Sequence, residues 1–227
     1  MTRGKRMHTD DLVRVLAASA PAVTPLRSPH ARMATWLALS MGYAALVVMV
    51  VGPRADLALK LGEPRFVIEV VAALSTSMLA AAAAFCAGCP GRPLWERFAP
   101  LPALVLWLGS LGGGCWQSWV RSGPDGLVLT PDLICFPSIL LVSIVPGLLI
   151  LAMIRRGAPI APVTTTMLAA LASASLGAAA LRLFHTQDAS IMVIVWQFGS
   201  VMLLTLVGAL LGRSLLRWPQ EQGRQSG

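Results

Sequence analysis

Six long, uninterrupted apolar runs decide what this chain can fold into. They cover about Met33–Val51, Phe66–Cys86, Phe98–Trp119, Leu133–Ile154, Val163–Phe184 and Ile191–Leu211. A helix rises about 1.5 Å per residue and the hydrocarbon core of a bilayer is about 30 Å thick, so roughly 20 apolar residues span it. Each run meets that length. Barrel strands would alternate apolar and polar residues over about 10 positions, and these runs do not alternate. Lipid tolerates only helices or closed barrels, because it offers no partner to a bare backbone N–H or C=O. The expected fold is all-α integral membrane: a bundle of six transmembrane helices preceded by a short cytoplasmic amphipathic helix. Small residues at Ala81–Ala84 and at Ala170, Ser173, Gly177 and Ala180 would let helices approach closely.

The composition agrees with a lipid solvent. Only 12% of residues are charged and 56% are hydrophobic, against about 25% and 45–50% in soluble domains. The net charge of +8 comes from 18 Lys and Arg against 10 Asp and Glu. These basic residues sit at the chain ends and in short loops, with no aromatic groove between them, so direct nucleic-acid binding is not expected. Their distribution sets an orientation instead. With the N-terminus inside, the inner segments hold Arg3, Lys5, Arg6, Arg14, Arg27, Arg32, Arg92, Arg97, Arg155, Arg156, Arg213, Arg217 and Arg224. The outer loops hold only Arg54, Lys60, Arg65 and Arg121. Both termini are therefore expected in the cytoplasm. The first apolar run is too long for a signal h-region and no small-residue cleavage site follows it, so it reads as a retained helix. The chain divides into a cytoplasmic segment 1–32, a membrane domain 33–212 and a short cytoplasmic tail 213–227.

In the N-terminal segment Thr9 can cap a helix, with Asp10 and Asp11 in the first turn, where the helix dipole favours negative charge. Leu12, Val13, Leu16, Ala17 and Ala20 follow at helical spacing, and Pro21 ends the element. A helix of about 12 residues is marginal alone in water. Its apolar stripe needs burial on the bundle, on the lipid surface or in a partner's groove. The two acids argue against the lipid surface; dock and partner groove stay open. Pro21, Pro25 and Pro29 with Ser28 read as an extended tether.

The outer face gathers chemistry. Cys115 and Cys135 lie at the outer ends of the third and fourth spans, at similar depth, where oxidation to a disulfide is chemically open to them. Asp132 precedes Cys135, His185 ends the fifth span, and Asp188 follows in its turn. Glu69 and Arg182 each lie one turn inside the membrane, where ionisable groups are functional candidates. Two thiols with an imidazole and a carboxylate suit a soft metal; two thiols alone suit a redox switch. Equally, Cys is a common apolar filler and Glu69 can simply neutralise Arg182. Gly112-Gly113-Gly114 before Cys115 weakens the helix, so bending or unwinding there is expected, unless the glycines serve close packing. Pro146-Gly147 could break the fourth span. Cys86 and Cys89 form a C-x-x-C at the inner end of the second span; with no thioredoxin-like fold and too few zinc ligands, the pair reads as incidental. Trp116 and Trp119 fit an outer aromatic belt, and Trp36, Trp95 and Trp218 an inner one.

Taken in order, several motifs form one pattern. They are Thr9-Asp10-Asp11-Leu12-Val13 with Leu16-Ala17; Pro53-Arg54-Ala55-Asp56-Leu57; Pro64-Arg65-Phe66 with Glu69; and Pro90-Gly91-Arg92-Pro93. Gly114-Cys115, Asp132 with Cys135-Phe136, Arg155-Arg156-Gly157-Ala158-Pro159 and Gly208-Ala209-Leu210-Leu211-Gly212-Arg213 complete it. This chain resembles the NrsF family, negative regulators of extracytoplasmic-function (ECF) sigma factors, over nearly its whole length. The resemblance implies a non-enzymatic anti-sigma factor in the bacterial inner membrane. Its N-terminal residues Thr9, Asp10, Asp11, Leu12, Val13 and Leu16 would hold a cytoplasmic sigma factor. Its Cys115 and Cys135 would sense oxidant or heavy metal from outside, with His185, Asp132, Glu69 and Asp188 as auxiliary or metal-binding groups. No cofactor is implied beyond transient heavy-metal binding. The family often has a second cysteine after the histidine, where this chain has Thr186, which weakens a metal site at that turn. Two other readings of the residues are a small transporter and a membrane thiol oxidoreductase. Solute flux would mark the first and catalytic turnover the second; no nucleophile–base pair points to hydrolysis.

Overall fold

The computed structural model describes residues 8–19, 26–123, 135–157, 160–186, 191 and 193–216. Among them every regular element is helical. A short helix α1 (Thr9–Ser19) precedes the bundle. The spans follow as α2 (Pro29–Val51), α4 (Pro64–Ala87), α5 (Leu101–Ser122), α6 (Cys135–Arg155), α7 (Pro162–Phe184) and α8 (Gly199–Leu215). One five-residue helix, α3 (Leu57–Leu61), lies between α2 and α4. A 3-10 turn over Leu94–Phe98 leads into α5, and a π-helical turn over Val193–Phe198 leads into α8. Counting these turns with the helices they enter, six segments are long and apolar enough to cross a membrane.

Local chemistry explains where the spans begin. Pro29, Pro64, Pro102 and Pro162 all stand in first turns, where a missing N–H costs nothing and the fixed φ suits the helix. Ser28 caps α2 by accepting the Ala31 N–H at 3.3 Å. That moves the start of the first span out to Pro29. Pro29 and Ser28, expected in the tether, are therefore the cap and first residue of a helix. In α1, His8 rather than Thr9 takes the capping place: its carbonyl accepts the N–H groups of Asp11 and Leu12. Thr9 itself is already helical, so Asp10 and Asp11 still fall in the first turn.

α7 is the axis of the bundle. It is buried along almost its whole length and packs against α4, α8, α6 and α2. A central helix in lipid needs close contact, because apolar burial gives no drive between helices there and dispersion must do the work. Small residues supply it. Ala80, Ala81, Ala83 and Ala84 of α4 and Ala172, Ala174, Ala178 and Ala179 of α7 are buried in one shared core. A Cβ added to Gly177 would meet the Ile139 carbonyl oxygen of α6 at 2.9 Å and collide with the Ser143 hydroxyl. Gly208 and Gly212 of α8, one turn apart, face α7: a Cβ there would meet the Thr166 and Pro162 carbonyl oxygens at 3.0 Å each. Two buried polar side chains also bond across helices. Ser77 donates to the Ala172 carbonyl across α4 and α7 at 2.7 Å, and Gln197 of the π turn donates to the Ala178 carbonyl at 2.5 Å.

Three expectations are corrected here. Trp36 is not an interfacial anchor: it is wholly buried in the core, and its indole N–H donates to the Pro146 carbonyl at 2.9 Å. Trp95, Trp116 and Trp119 do lie exposed on the outside of the bundle, while Trp218 falls outside the described residues. Pro146-Gly147 does not break its span, since α6 runs on from Cys135 to Arg155, with Pro146 buried beneath Trp36 and Gly147 set against Ser173. Nor do the three glycines unwind α5, which is continuous from Leu101 to Ser122. Gly112 and Gly113 face open space, and only Gly114 makes a close approach.

These contacts predict opposite effects for two glycine substitutions. Gly212→Val should overpack the interface of α7 and α8 at a cost of about 1–3 kcal/mol, read as a lower melting temperature in detergent. Gly113→Ala should leave melting unchanged or raise it slightly, because nothing opposes the added methyl and alanine favours helix.

Candidate functional site

The polar residues at the end of the bundle that holds the start of α4 and the end of α7 assemble into a chain of ion pairs. Pro64 starts α4, which sets Arg65 and Glu69 one turn apart on the same face. Arg65 Nε meets Glu69 Oε1 at 3.0 Å, and Arg182 Nη2 of α7 meets Glu69 Oε2 at 2.9 Å. Glu69 and Arg182 are both buried, at 4% and 7% exposure. Both carboxylate oxygens of Glu69 are thus taken up by guanidinium groups, the arrangement that lets a charge be buried at all. Phe66 lies beneath: the Arg182 guanidinium is 5.0 Å from its ring centroid and that of Arg54 is 5.8 Å away, both within cation–π range.

Arg54 locks the loop after α2 onto the end of α7. Its backbone N–H donates to the Leu183 carbonyl at 3.0 Å. Its side chain grips Asp56 with both arms, at 2.6 and 2.8 Å, and donates to the His185 carbonyl at 3.3 Å. The same two bonds hold the Asp56 carboxyl below the usual carboxylate range, with Arg54 the chief cause. A depressed folded-state value means this stabilisation is present above the ordinary carboxylate pKa and is lost as the pH falls through the lowered one. His185 closes α7 as its C-cap, its N–H bonded to the Leu181 carbonyl at 2.8 Å. The sequence reading placed Arg54 simply in a loop. The alternation Arg54-x-Asp56 was the signal for a bidentate clamp.

The two thiols stand on opposite sides of this chain. Cys115 is half-buried on α5, and the Arg65 guanidinium lies directly against the neighbouring Gly114, in the space that a Cβ would take. Arg65 is the charged neighbour of Cys115. Cys135 is buried at the first turn of α6, against Ile139 and Leu181, with Phe184 and Trp196 beside them. Leu181 adjoins Arg182. Neither cysteine is in a disulfide. The helices bearing them share no extensive interface, since α5 packs on α4 and α6 packs on α7 and α2. The connection between the thiols therefore runs from Cys115 to Arg65, Glu69 and Arg182, and so to the helix turn that Cys135 touches. Among the described residues no group of three or more His, Cys, Asp and Glu is placed to hold a metal. Asp132 and Asp188 lie outside the described residues.

At the other end, α1 makes no extensive contact with any span. Every described residue of it is exposed, including Leu12 at 43%, Val13 at 58% and Leu16 at 59%. It carries Thr9, Asp10 and Asp11 on its first turn and an apolar stripe that no described residue covers.

The ion-pair chain makes a stability prediction. Glu69→Gln strands the buried Arg182 charge and should cost about 3–5 kcal/mol, lowering the melting temperature in detergent. Replacing both partners together, Glu69→Leu with Arg182→Leu, should cost less than Glu69→Gln alone, because no orphaned charge remains.

Searches of curated proteins and of solved structures return no match. The family model described as NrsF, negative regulator of sigma F, matches residues 16–218. The match takes in all six spans, both outer cysteines, the ion-pair chain and Leu16, and it begins after Thr9–Val13. With that extent of match, a six-span helical bundle and a free amphipathic helix before it, the chain belongs to the NrsF family of negative sigma-factor regulators.

Proposed function

We propose that this protein is a membrane-embedded anti-sigma factor whose helix α1 holds an ECF sigma factor at the cytoplasmic face of the inner membrane. The observation that carries this reading is the unpartnered apolar stripe of α1 on a chain whose family regulates a sigma factor. A short amphipathic helix is stable when its stripe enters a groove. Leu12, Val13 and Leu16 would fill the sigma factor's groove, and Thr9, Asp10 and Asp11 would meet polar or basic groups at its rim. The distribution of Lys and Arg supports the cytoplasmic placing of both termini. The membrane domain works by binding and release, with no chemical turnover and no resident cofactor.

The release signal would arrive at Cys115 and Cys135 from the outer side. If the two thiols give up two electrons and two protons to an oxidant and join in a disulfide, drawing α5 and α6 together, the packing beside Arg65 and Leu181 changes; if they lose their protons and bind a heavy metal as thiolates, the charge there changes as well. Glu69 and Arg182 join α4 to α7, the helix that touches most of the others, so a shift there has a route through the bundle. The ligand or oxidant can move the equilibrium only by its preference for one of the two states. His185, whose carbonyl is tied to Arg54, together with Asp132 and Asp188, would be auxiliary groups at this face.

Two experiments check the two halves separately. Leu16→Asp, with Leu12→Asp as its companion, should abolish co-purification of the sigma factor while the protein still elutes as a folded species. Retention by both variants would refute the role of α1. Cys115→Ser and Cys135→Ser should keep the sigma factor bound but no longer release it under oxidant or cadmium. Identical release from wild type and from both variants would refute sensing by these thiols.

A further inference from the structure

The inner end of α4 carries chemistry that the outer-face switch does not use. Cys86 closes the last turn of α4, and Cys89 follows in a tight turn, its N–H bonded to the Cys86 carbonyl at 3.0 Å. The Arg92 guanidinium donates to Cys86 Sγ at 3.1 Å and is itself held by Glu96, with Nε and Oε2 2.9 Å apart. Glu96, which holds Arg92, brings a carboxylate to the same end of the helix as the Cys86 thiol. Cys86 is buried, at 4% exposure, so this guanidinium with its carboxylate partner is the polar group set against its sulfur. A neighbouring cation is what makes a thiol reactive.

Cys89 has its own cation and its own opening. It lines a cavity of about 420 Å³ between the inner ends of α2, α4 and α6, bounded also by Arg32, Phe85, Leu26 and Gly157. Arg32 lies over the Phe85 ring, 4.7 Å from its centroid, and its charge acts on Cys89. Two thiols with two residues between them, each beside an arginine and one of them lining a cavity, are more than apolar filler. Zinc wants four ligands, and no cluster of three or more placed for a metal occurs among the described residues. A thiophile satisfied by two sulfurs fits.

We propose that Cys86 and Cys89 form a dithiol site on the inner side of the bundle that captures trivalent arsenicals. With an aryl arsenoxide, each thiol gives up its proton and the two protons leave with the arsenic-bound oxygen as one water. Two arsenic–sulfur bonds replace the arsenic–oxygen double bond, with no change in oxidation state. Glu96 takes the first proton from Cys86, and Arg92 holds the resulting thiolate. Arg92 is a positioning residue here, because it acts through the sulfur.

The test uses the full-length protein in detergent, in a Cys115→Ser, Cys135→Ser background that leaves only the inner pair. Phenylarsine oxide is added in slight excess and the intact mass is measured after removal of free reagent. The expected result is one phenylarsenic adduct per chain, displaced by a small dithiol but not by a monothiol. Cys86→Ser and Cys89→Ser should each abolish it, with unchanged elution showing that the bundle is intact. Arg92→Gln should slow its formation roughly tenfold near pH 7, with the rate restored at higher pH, as expected when a cation that favours the thiolate is lost. Absence of a stable adduct, or an adduct that survives loss of either cysteine, overturns the proposal. An Arg92→Gln rate equal to that of the parent overturns the role of that residue. Because no sigma factor is present, the result is independent of the anti-sigma reading.

Discussion

Everything in this fold depends on how closely α7 can be approached. In lipid there is no water to expel from between helices, so contact at short range must hold the bundle. Ala172, Ala174, Ser173, Gly177, Ala178 and Ala179 remove bulk from all sides of one helix, which is why four other spans can lie on it at once. Large side chains fill only what those small ones leave. Trp36 and Trp107, both buried, occupy the space beside the alanine face of α4. The interior is therefore arranged around a thin helix, with the bulk supplied from its neighbours.

That closeness also fixes where charge can be buried. Glu69 and Arg182 meet across α4 and α7 because the small residues one and two turns away bring the backbones together. A carboxylate shared by Arg65 and Arg182 is a poor source of stability against an apolar pair of equal volume. Its value lies in specificity: it allows α4 and α7 one register at their outer ends. The clamp formed by Arg54, Asp56 and the end of α7 fastens the loop after α2 to the same point. Two helices and the loop after α2 thus converge on a single electrostatic cluster, which Cys115 and Cys135 approach from two further helices.

Much of this was legible in the sequence. The six spans follow from hydrophobic length alone, and the prolines in first turns adjust their starts by a few residues. α1 was legible from its spacing and its two acids. What was not legible depends on which way side chains turn. Trp36 has the position of a belt residue, yet its face of α2 turns inward to α6, and no one-dimensional pattern says so. The triple glycine reads as a weak point, but only Gly114 has a neighbour, and that neighbour, Arg65, lies far away in sequence. The turn at Val193–Phe198 was equally hidden, because a π turn needs Gln197 to reach the Ala178 carbonyl, a contact that no local rule encodes. Cys86 and Cys89 were read as incidental from their spacing, and the arginines beside them, from a loop and from another helix, are not visible in that spacing.

The two ends of α4 differ in a way that bears on signalling. Its outer end is tied through Glu69 to α7 by charge, and its inner end is tied through Cys86 and Arg92 to the turn that enters α5. The Arg32 guanidinium, bonded to the Met153 carbonyl, joins α2 to α6 beside the same inner cavity. Leu26, on the segment leading from α1, lines that cavity as well. A rigid rod held at both ends transmits a displacement, whereas a loosely packed one absorbs it. α4 is packed against α7 along its alanine face and anchored by polar contacts at its two ends, which is the construction that the proposed switch would need to carry a movement from Arg65 along the helix.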